Sequence, residues 1–400
     1  MMTNKARMLM AARGEMVDRI PFAPRLDLWY NANSMADTLP RKHRGRTRDE
    51  IARAEGWALH KVVPEYDKPQ NPEESLHRAL GLYSLKEFVF KTHFSKNIDI
   101  KVKRQAGDTH VEYHTPMGIV STTTSFTDEM KKSGTSLSWI KEHAIKKPED
   151  YRLVGYLFEN LELLPKFEDF IQWQNQIGED GLAFTMVAGG ASPIHYIQRD
   201  LIDATTFYYH YHDYPKEMMG LAERIDNFFN QALKIISASP AEAVLWGGNF
   251  DAMLTYPPYF KKEIVPWITK ASDFLGRKEK IVACHCDGEN LGLMDFIRDS
   301  GMHMAESICP YPMTKVKFEE YYQQWSNRLT LFGGIPSDIL LEDMTSEDEF
   351  EAYMDHLFES VTPGKRLILG VADAVPTDAV FERLVRIGER VEKEGRLPLK

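Results

Sequence analysis

The chain has 400 residues, 43% of them apolar and 27% charged, a composition that supports a large buried core and excludes a disordered or collagenous chain. Its 49 Lys and Arg against 59 Asp and Glu give a net charge of −10, and without a long basic run it is a poor candidate for nucleic-acid binding, because phosphate contacts need clustered cations. Three cysteines, Cys284, Cys286 and Cys309, are too few for a disulfide framework, and their clustering suits a reducing, cytoplasmic setting.

In chain order, residues 1–19 lack the apolar stretch of a secretory signal, and no apolar run further on is long enough to span a membrane. Short β-rich runs then alternate with helical patterns, the order expected of βα units around a parallel sheet. Strands are expected at 21–26, 60–64, 182–188, 243–249, 281–287, 303–308, 329–334 and 366–371, as many as close a (β/α)8 TIM barrel. About 115 residues separate the second and third of these, too many for an ordinary connection, so a single domain over 1–400 is expected to carry an insert at about 65–180. In that insert 110–113 and 119–124 flank Thr115-Pro116-Met117-Gly118, the pattern of a β-hairpin, and helical segments are expected to follow through 147–164. Residues 216–236 place Met218, Leu221, Ile225, Phe228, Phe229, Ala232 and Ile236 on one helical face. Residues 376–394 repeat the pattern, with Pro376 suited to a first turn and Gly395 to the stop. The aromatic stretch 207–214 suits a lid or a partner surface, though packing between helices is the commoner role of such a stretch.

The familiar phosphate-loop, dinucleotide, metalloprotease and nucleophile-elbow motifs are absent. The positive signal is Ile281-Val-Ala-Cys-His-Cys-Asp-Gly288 followed by His303-Met-Ala-Glu-Ser-Ile-Cys-Pro310. Both read as buried strands with polar C-terminal ends, and in a barrel those ends face the active site. On a regular strand His285 and Asp287 share a face, while Cys284 and Cys286 point the other way and serve packing. Glu306 on the next strand would meet them, and Cys309 near its end would turn inward. His285, Asp287, Glu306 and Cys309 thus make a divalent-metal set suited to zinc, or else a hydrogen-bonded core pair beside a strand-end carboxylate. Asn249 and Asp251 end the fourth strand, and Asp373 ends the eighth, as a ligand or base or as an Asp turn before a helix. Arg25, Asp27 and Trp29 alternate along the first strand and are candidates to line a pocket with Trp246 and Phe250, or else Arg25 and Asp27 simply pair.

These residues resemble a family. Gly14-Glu-Met-Val-Asp-Arg-Ile-Pro21, Thr115-Pro-Met-Gly118, Lys147-Pro-Glu-Asp-Tyr151, Gly248-Asn-Phe-Asp251 and the strand-five and strand-eight segments look like the uroporphyrinogen decarboxylase superfamily, in family order. The resemblance implies a (β/α)8 barrel. True uroporphyrinogen decarboxylases carry an Arg-rich segment after the first strand, where this chain reads Arg25-Leu-Asp-Leu-Trp-Tyr-Asn31 and lacks the cluster. The other branch contains corrinoid-dependent methyltransferases with a zinc site similar to H-x-C-G plus a later Cys. Here the segment is His285-Cys286-Asp287-Gly288, so Asp287 stands in the ligand-Cys position, and no Cys occurs near 370–373.

Carboxylate in place of thiolate makes a harder, more Lewis-acidic site, better suited to an ether oxygen than to a thiol. The resemblance then implies an O-demethylase type of methyltransferase. Zinc, held by His285 and Glu306 with Asp287 or Cys309, would polarise an O-methyl substrate such as a methoxylated aromatic, and Asp287, Asp373 and Asn249 would be catalytic. The methyl group would pass to cob(I)alamin on a separate corrinoid protein, since the nearest match to a cobalamin-carrier motif, Asp108-Thr-His110-Val-Glu-Tyr113, has Tyr in place of Gly. The alternatives are a lyase of the decarboxylase type acting on a carboxylated substrate, and a non-catalytic binding barrel. No nucleic acid or membrane partner is expected, and a homo-oligomer is compatible with the sequence.

Overall fold

The computed structural model describes residues 2–62, 76–82, 88–135 and 137–399. Seven parallel strands form a curled sheet: β1 (Leu59–Lys61) from the first part of the chain, then, after six strands of the insert, β8 (Gly181–Met186), β9 (Ala243–Gly248), β10 (Ile281–His285), β11 (Met304–Ile308), β12 (Thr330–Pro336) and β13 (Leu367–Ala372). They lie in sequence order, β1-β8-β9-β10-β11-β12-β13. Every residue of β8, β9, β11, β12 and β13 is buried. This is why these segments read as unbroken apolar runs rather than as alternation: helices cover one face of a parallel sheet and side chains fill the other. Helix Pro215–Ala238 buries Met218, Leu221, Ile225, Phe228, Phe229, Ala232 and Ile236, the face expected from their spacing.

The first expected strand, 21–26, is not formed, so the sheet does not close as an eight-stranded barrel. Phe22 makes one parallel bridge to Leu369, and its carbonyl accepts from the Ala58 N–H at 2.8 Å, so the segment spans the gap between β13 and β1. Pro21 and Pro24 lack the N–H groups that a longer ladder would require. The end of the expected strand 60–64 lies outside the described residues.

The insert supplies β2 (Phe90–Phe94), β3 (Asp99–Gln105), β4 (Asp108–Thr115), β5 (Gly118–Ser125), β6 (Trp139–Glu142) and β7 (Leu161–Pro165). The expected hairpin is β4–β5, with Thr115 opposite Gly118. The expectation of helix through 147–164 is corrected: helix Asp150–Glu159 stops at Asn160, and β7 follows, paired antiparallel with β2. The last helix starts at Phe381 rather than Pro376, because 373–380 instead forms the loop that carries Asp373 to the mouth of the sheet. The aromatic stretch is largely helix Ala204–Asp213, with Phe207 buried against Tyr208, Tyr211 and Tyr259. Among the described residues no helix is long and apolar enough to cross a membrane.

Candidate functional site

The C-terminal ends of β9, β10, β11 and β13 converge on one polar cluster. His285, Asp287 and Asp373 each offer a ligand atom, and these atoms all lie within 4.8 Å of one another. Each is held by a further group. His285 Nδ1 lies 2.6 Å from Glu306 Oε2, while the other carboxylate oxygen, Oε1, lies 2.9 Å from His60 Nε2. Asp287 accepts from the Cys309 thiol at 3.0 Å and from the Asn249 amide at 3.4 Å. Asp373 accepts from Arg25 Nη1 at 2.9 Å and from the Ser307 hydroxyl at 2.8 Å. Arg25 in turn makes a two-pronged pair with buried Asp27 at 2.8 and 3.1 Å.

Local backbone geometry produces the convergence. The register between β11 and β12 shifts between Glu306 and Ile308, and Ser307 has a φ of 60°. Such a bulge breaks strict alternation, so that consecutive residues, Glu306 and Ser307, both reach the cluster. Asn249 also has a φ of 60°, uncommon for a residue with a side chain and typical of functional positions. Gly248 lets β9 and β10 close up, since a Cβ there would lie 2.3 Å from that of His285.

Burial opposes charge on the His285 imidazole, but Glu306 and Asp373 outweigh it and raise the pKa to about 9. The same pairing, with His60, holds the buried Glu306 carboxyl far below the usual range. Asp373 is lowered as well, Arg25 and His285 overcoming its burial. Burial and the adjacent Asp287 push the Cys309 thiol upward, so it donates its proton to Asp287 rather than acting as a thiolate.

The expected site residues therefore divide. Arg25, Asp27, Asn249, His285, Asp287, Glu306, Cys309 and Asp373 come together. The trio that could hold a metal ion has Asp373 beside His285 and Asp287, while Glu306 lies between His285 and His60 and the Cys309 thiol donates to Asp287. The aromatic lining is a correction. Asp27 opens helix Asp27–Ala36, which turns Trp29 away to stack on Phe381 at 4.9 Å. Trp246 is wholly buried, its indole N–H donating to the Ala191 carbonyl, and Phe250 packs on Phe260. A cavity of about 200 Å³ beside the cluster is lined by Arg25, Leu137, Met186, Arg199, Leu245, Gly247, Asn249, His285, Asp287 and Asp373. Sequence reasoning missed His60, Ser307, Arg199 and the aliphatic wall. Neither His60, which sits beside Lys61 in a three-residue strand, nor Ser307, whose role depends on the bulge, was marked by its spacing. A larger cavity of about 380 Å³ lies apart from this chemistry, around Arg19, Trp57 and Glu392.

The chain matches no protein-family profile and no curated sequence. Among solved structures it is similar to a methyltransferase from Methanosarcina mazei, with a TM-score of 0.56 and 14% identity over 98% of this chain and 99% of that one. A structure from Anabaena variabilis assigned as a sugar phosphate isomerase/epimerase covers 61% of this chain and 74% of its own at 12% identity, and its TM-score of 0.32 carries no argument. The first likeness shows a shared TIM-like α/β fold along the whole chain.

Proposed function

We propose that the chain is a methyltransferase of the corrinoid-dependent, uroporphyrinogen decarboxylase-like kind, taking a methyl group from an O-methyl compound. The observation that carries the reading is the trio His285, Asp287 and Asp373 with its supports. An imidazole anchored through Nδ1 on a carboxylate, with Nε2 left facing two further carboxylates, is the arrangement that metal-binding histidines favour. The donor set also fits by charge. Asp27, Asp287, Glu306 and Asp373 outnumber Arg25, Arg199 and a protonated His285 by one, so a divalent ion that displaces the His285 proton would relieve a negative surplus. Zinc held there would supply a Lewis acid at the methoxy oxygen.

The chain's own residues do the rest. Glu306 fixes the His285 ring, Asn249 and Cys309 orient Asp287, and Arg25 and Ser307 orient Asp373. Leu137, Met186 and Leu245 give the cavity an apolar wall for the body of the donor. A corrinoid held by a second protein would supply, as cob(I)alamin, the electron pair for the new bond to the methyl carbon, while the pair of the broken carbon–oxygen bond would stay on the oxygen. Loops following β9, β10 and β11 expose Met253, Leu254, Leu291 and Tyr311, apolar side chains suited to contact with such a partner. The likeness in fold to a methyltransferase supports the same reading.

The direct test is methylcobalamin absorbance under anoxic, reducing conditions with zinc present, across methoxyarenes, methylamines and methylthiols. Transfer from a methoxyarene is the expected result. Transfer only from amines or thiols would remove the oxygen donor, and carbon dioxide release without methyl transfer would favour a lyase. A companion measurement concerns the cysteines. Cys284 and Cys286 are wholly buried, and their thiols face the carbonyls of Trp246 and Cys284. Changing either to Ala should leave zinc stoichiometry unchanged and lower stability by about 1–2 kcal/mol. Loss of zinc from either variant would place a thiol in the site.

A further inference from the structure

Glu306 is held from two sides, and the second holder comes from far across the sheet. His285 lies on β10, the strand beside β11, whereas His60 lies on β1, four strands from β11. Strand β1 ends the sheet and pairs there with β8. Alternation fixes which way its residues point. Lys61 turns toward the helical layer and reaches Asp49 at 2.8 Å, so His60 turns into the interior. The His60 side chain is 6% exposed, lies against the Phe332 ring at 4.9 Å between centroids, and sets Nε2 2.9 Å from Glu306 Oε1. A carboxylate only accepts, so His60 Nε2 is the donor.

This contact governs aim. The last torsion of a glutamate side chain is broad, so a carboxylate held at one oxygen can still swing about that bond. Donors on two distant strands fix both oxygens of Glu306, and with them the plane of the group. Resting on the metal reading above, we infer that His60 is a positioning residue for the metal. By holding Glu306 Oε1 it keeps Oε2 on His285 Nδ1, and so keeps His285 Nε2 facing Asp373, 3.5 Å away. His60 is not one of the three candidate ligands and acts only through Glu306.

Zinc affinity of the full-length protein, measured at a single pH by competition with a coloured chelator, tests this without any turnover. His60→Leu should weaken zinc about tenfold, the low end of the range for residues that orient a metal ligand. His60→Gln, whose amide nitrogen can stand where Nε2 stands, should restore most of it. In a Glu306→Gln background His60→Leu should cost nothing further, because the route to the metal is already cut. Cobalt(II) in place of zinc gives a signature that lost stability alone does not move: its visible absorption follows ligand geometry, and should change in His60→Leu and return in His60→Gln. An unchanged zinc affinity in His60→Leu, or an equal loss in the Glu306→Gln background, would overturn the inference. Should His60→Leu fail to fold, as its melting temperature would reveal, His60→Asn decides in its place, since it stays polar but is too short to reach Glu306. The metal-free protein keeps this inference apart from the metal reading. There the His285 Nδ1–H resonance should be sharp in wild type and His60→Gln, and broadened in His60→Leu. That dependence together with no zinc binding would count against the metal reading alone, while its absence would count against the role of His60.

Discussion

Glu306→Gln is expected to cost the metal-free protein about 3–5 kcal/mol and to weaken zinc binding about 10- to 100-fold. Glu306 is 1% exposed and lies between His285 and His60, at 2.6 and 2.9 Å. Removing one member of a buried pair leaves the other charged and unmatched, which costs more than the pair itself contributes. The amide also no longer fixes the His285 ring as a carboxylate does. Stability should carry a pH signature. The His285 pKa is raised to about 9, so its contribution is complete below its unfolded value and is lost as pH rises through about 9. Glu306 is shifted the other way, so its contribution is present above its unfolded value and disappears only in strong acid. Metal-free wild type should therefore lose roughly 3 kcal/mol between about pH 6.5 and pH 9, and Glu306→Gln should lose most of that slope. Urea melts at stepped pH check both statements; a flat wild-type profile through this window would mean that the pair does not stabilise the fold.

The strands were legible because burial on both faces leaves a composition that survives any choice of boundary. Seven of the expected runs appear as sheet strands within a few residues of the expected limits, and His285, Asp287 and Glu306 follow from β10 and β11. Legibility failed where the backbone departs from regular geometry. Residues 21–26 were read as extended through Trp29, but the chain turns into a helix at Asp27, so the period-two face of Arg25, Asp27 and Trp29 breaks after Asp27. Arg25 and Asp27 stay in the cluster, and Trp29 leaves for Phe381. Ser307 was invisible for a related reason: alternation assigns it to the face opposite Glu306, and only the bulge brings it to Asp373. Arg199 lies far along the chain from any strand end, on a turn packed over Gly189 and Gly248, and no spacing rule points to it. Asp373 was open to two readings, a ligand or base and an Asp turn before the last helix, and its Oδ1 is faced by Arg25, Ser307 and His285.

His285→Ala should remove nearly all bound zinc, from about one ion per chain, and lower methyl transfer by a thousandfold or more. A Lewis acid on a leaving oxygen is worth several kcal/mol in the transition state, at about 1.4 kcal/mol per tenfold in rate, because it stabilises charge that is absent from the ground state. Part of any loss could arise from Glu306, which keeps only His60 once the imidazole is gone. His285→Gln answers this, since its amide N–H can still donate to Glu306 while offering no imidazole Nε2 to a metal. The fold should then persist, and zinc and activity should still be lost. Cys309→Ala separates the two ligand sets. The thiol donates to Asp287 and carries no negative charge in this setting, so zinc content should remain near one per chain, with only a modest loss of affinity as Asp287 becomes less well held. If Cys309→Ala empties the site while Asp373→Ala leaves it full, the metal is held by the thiol set, and the trio of His285, Asp287 and Asp373 is only a hydrogen-bonded cluster.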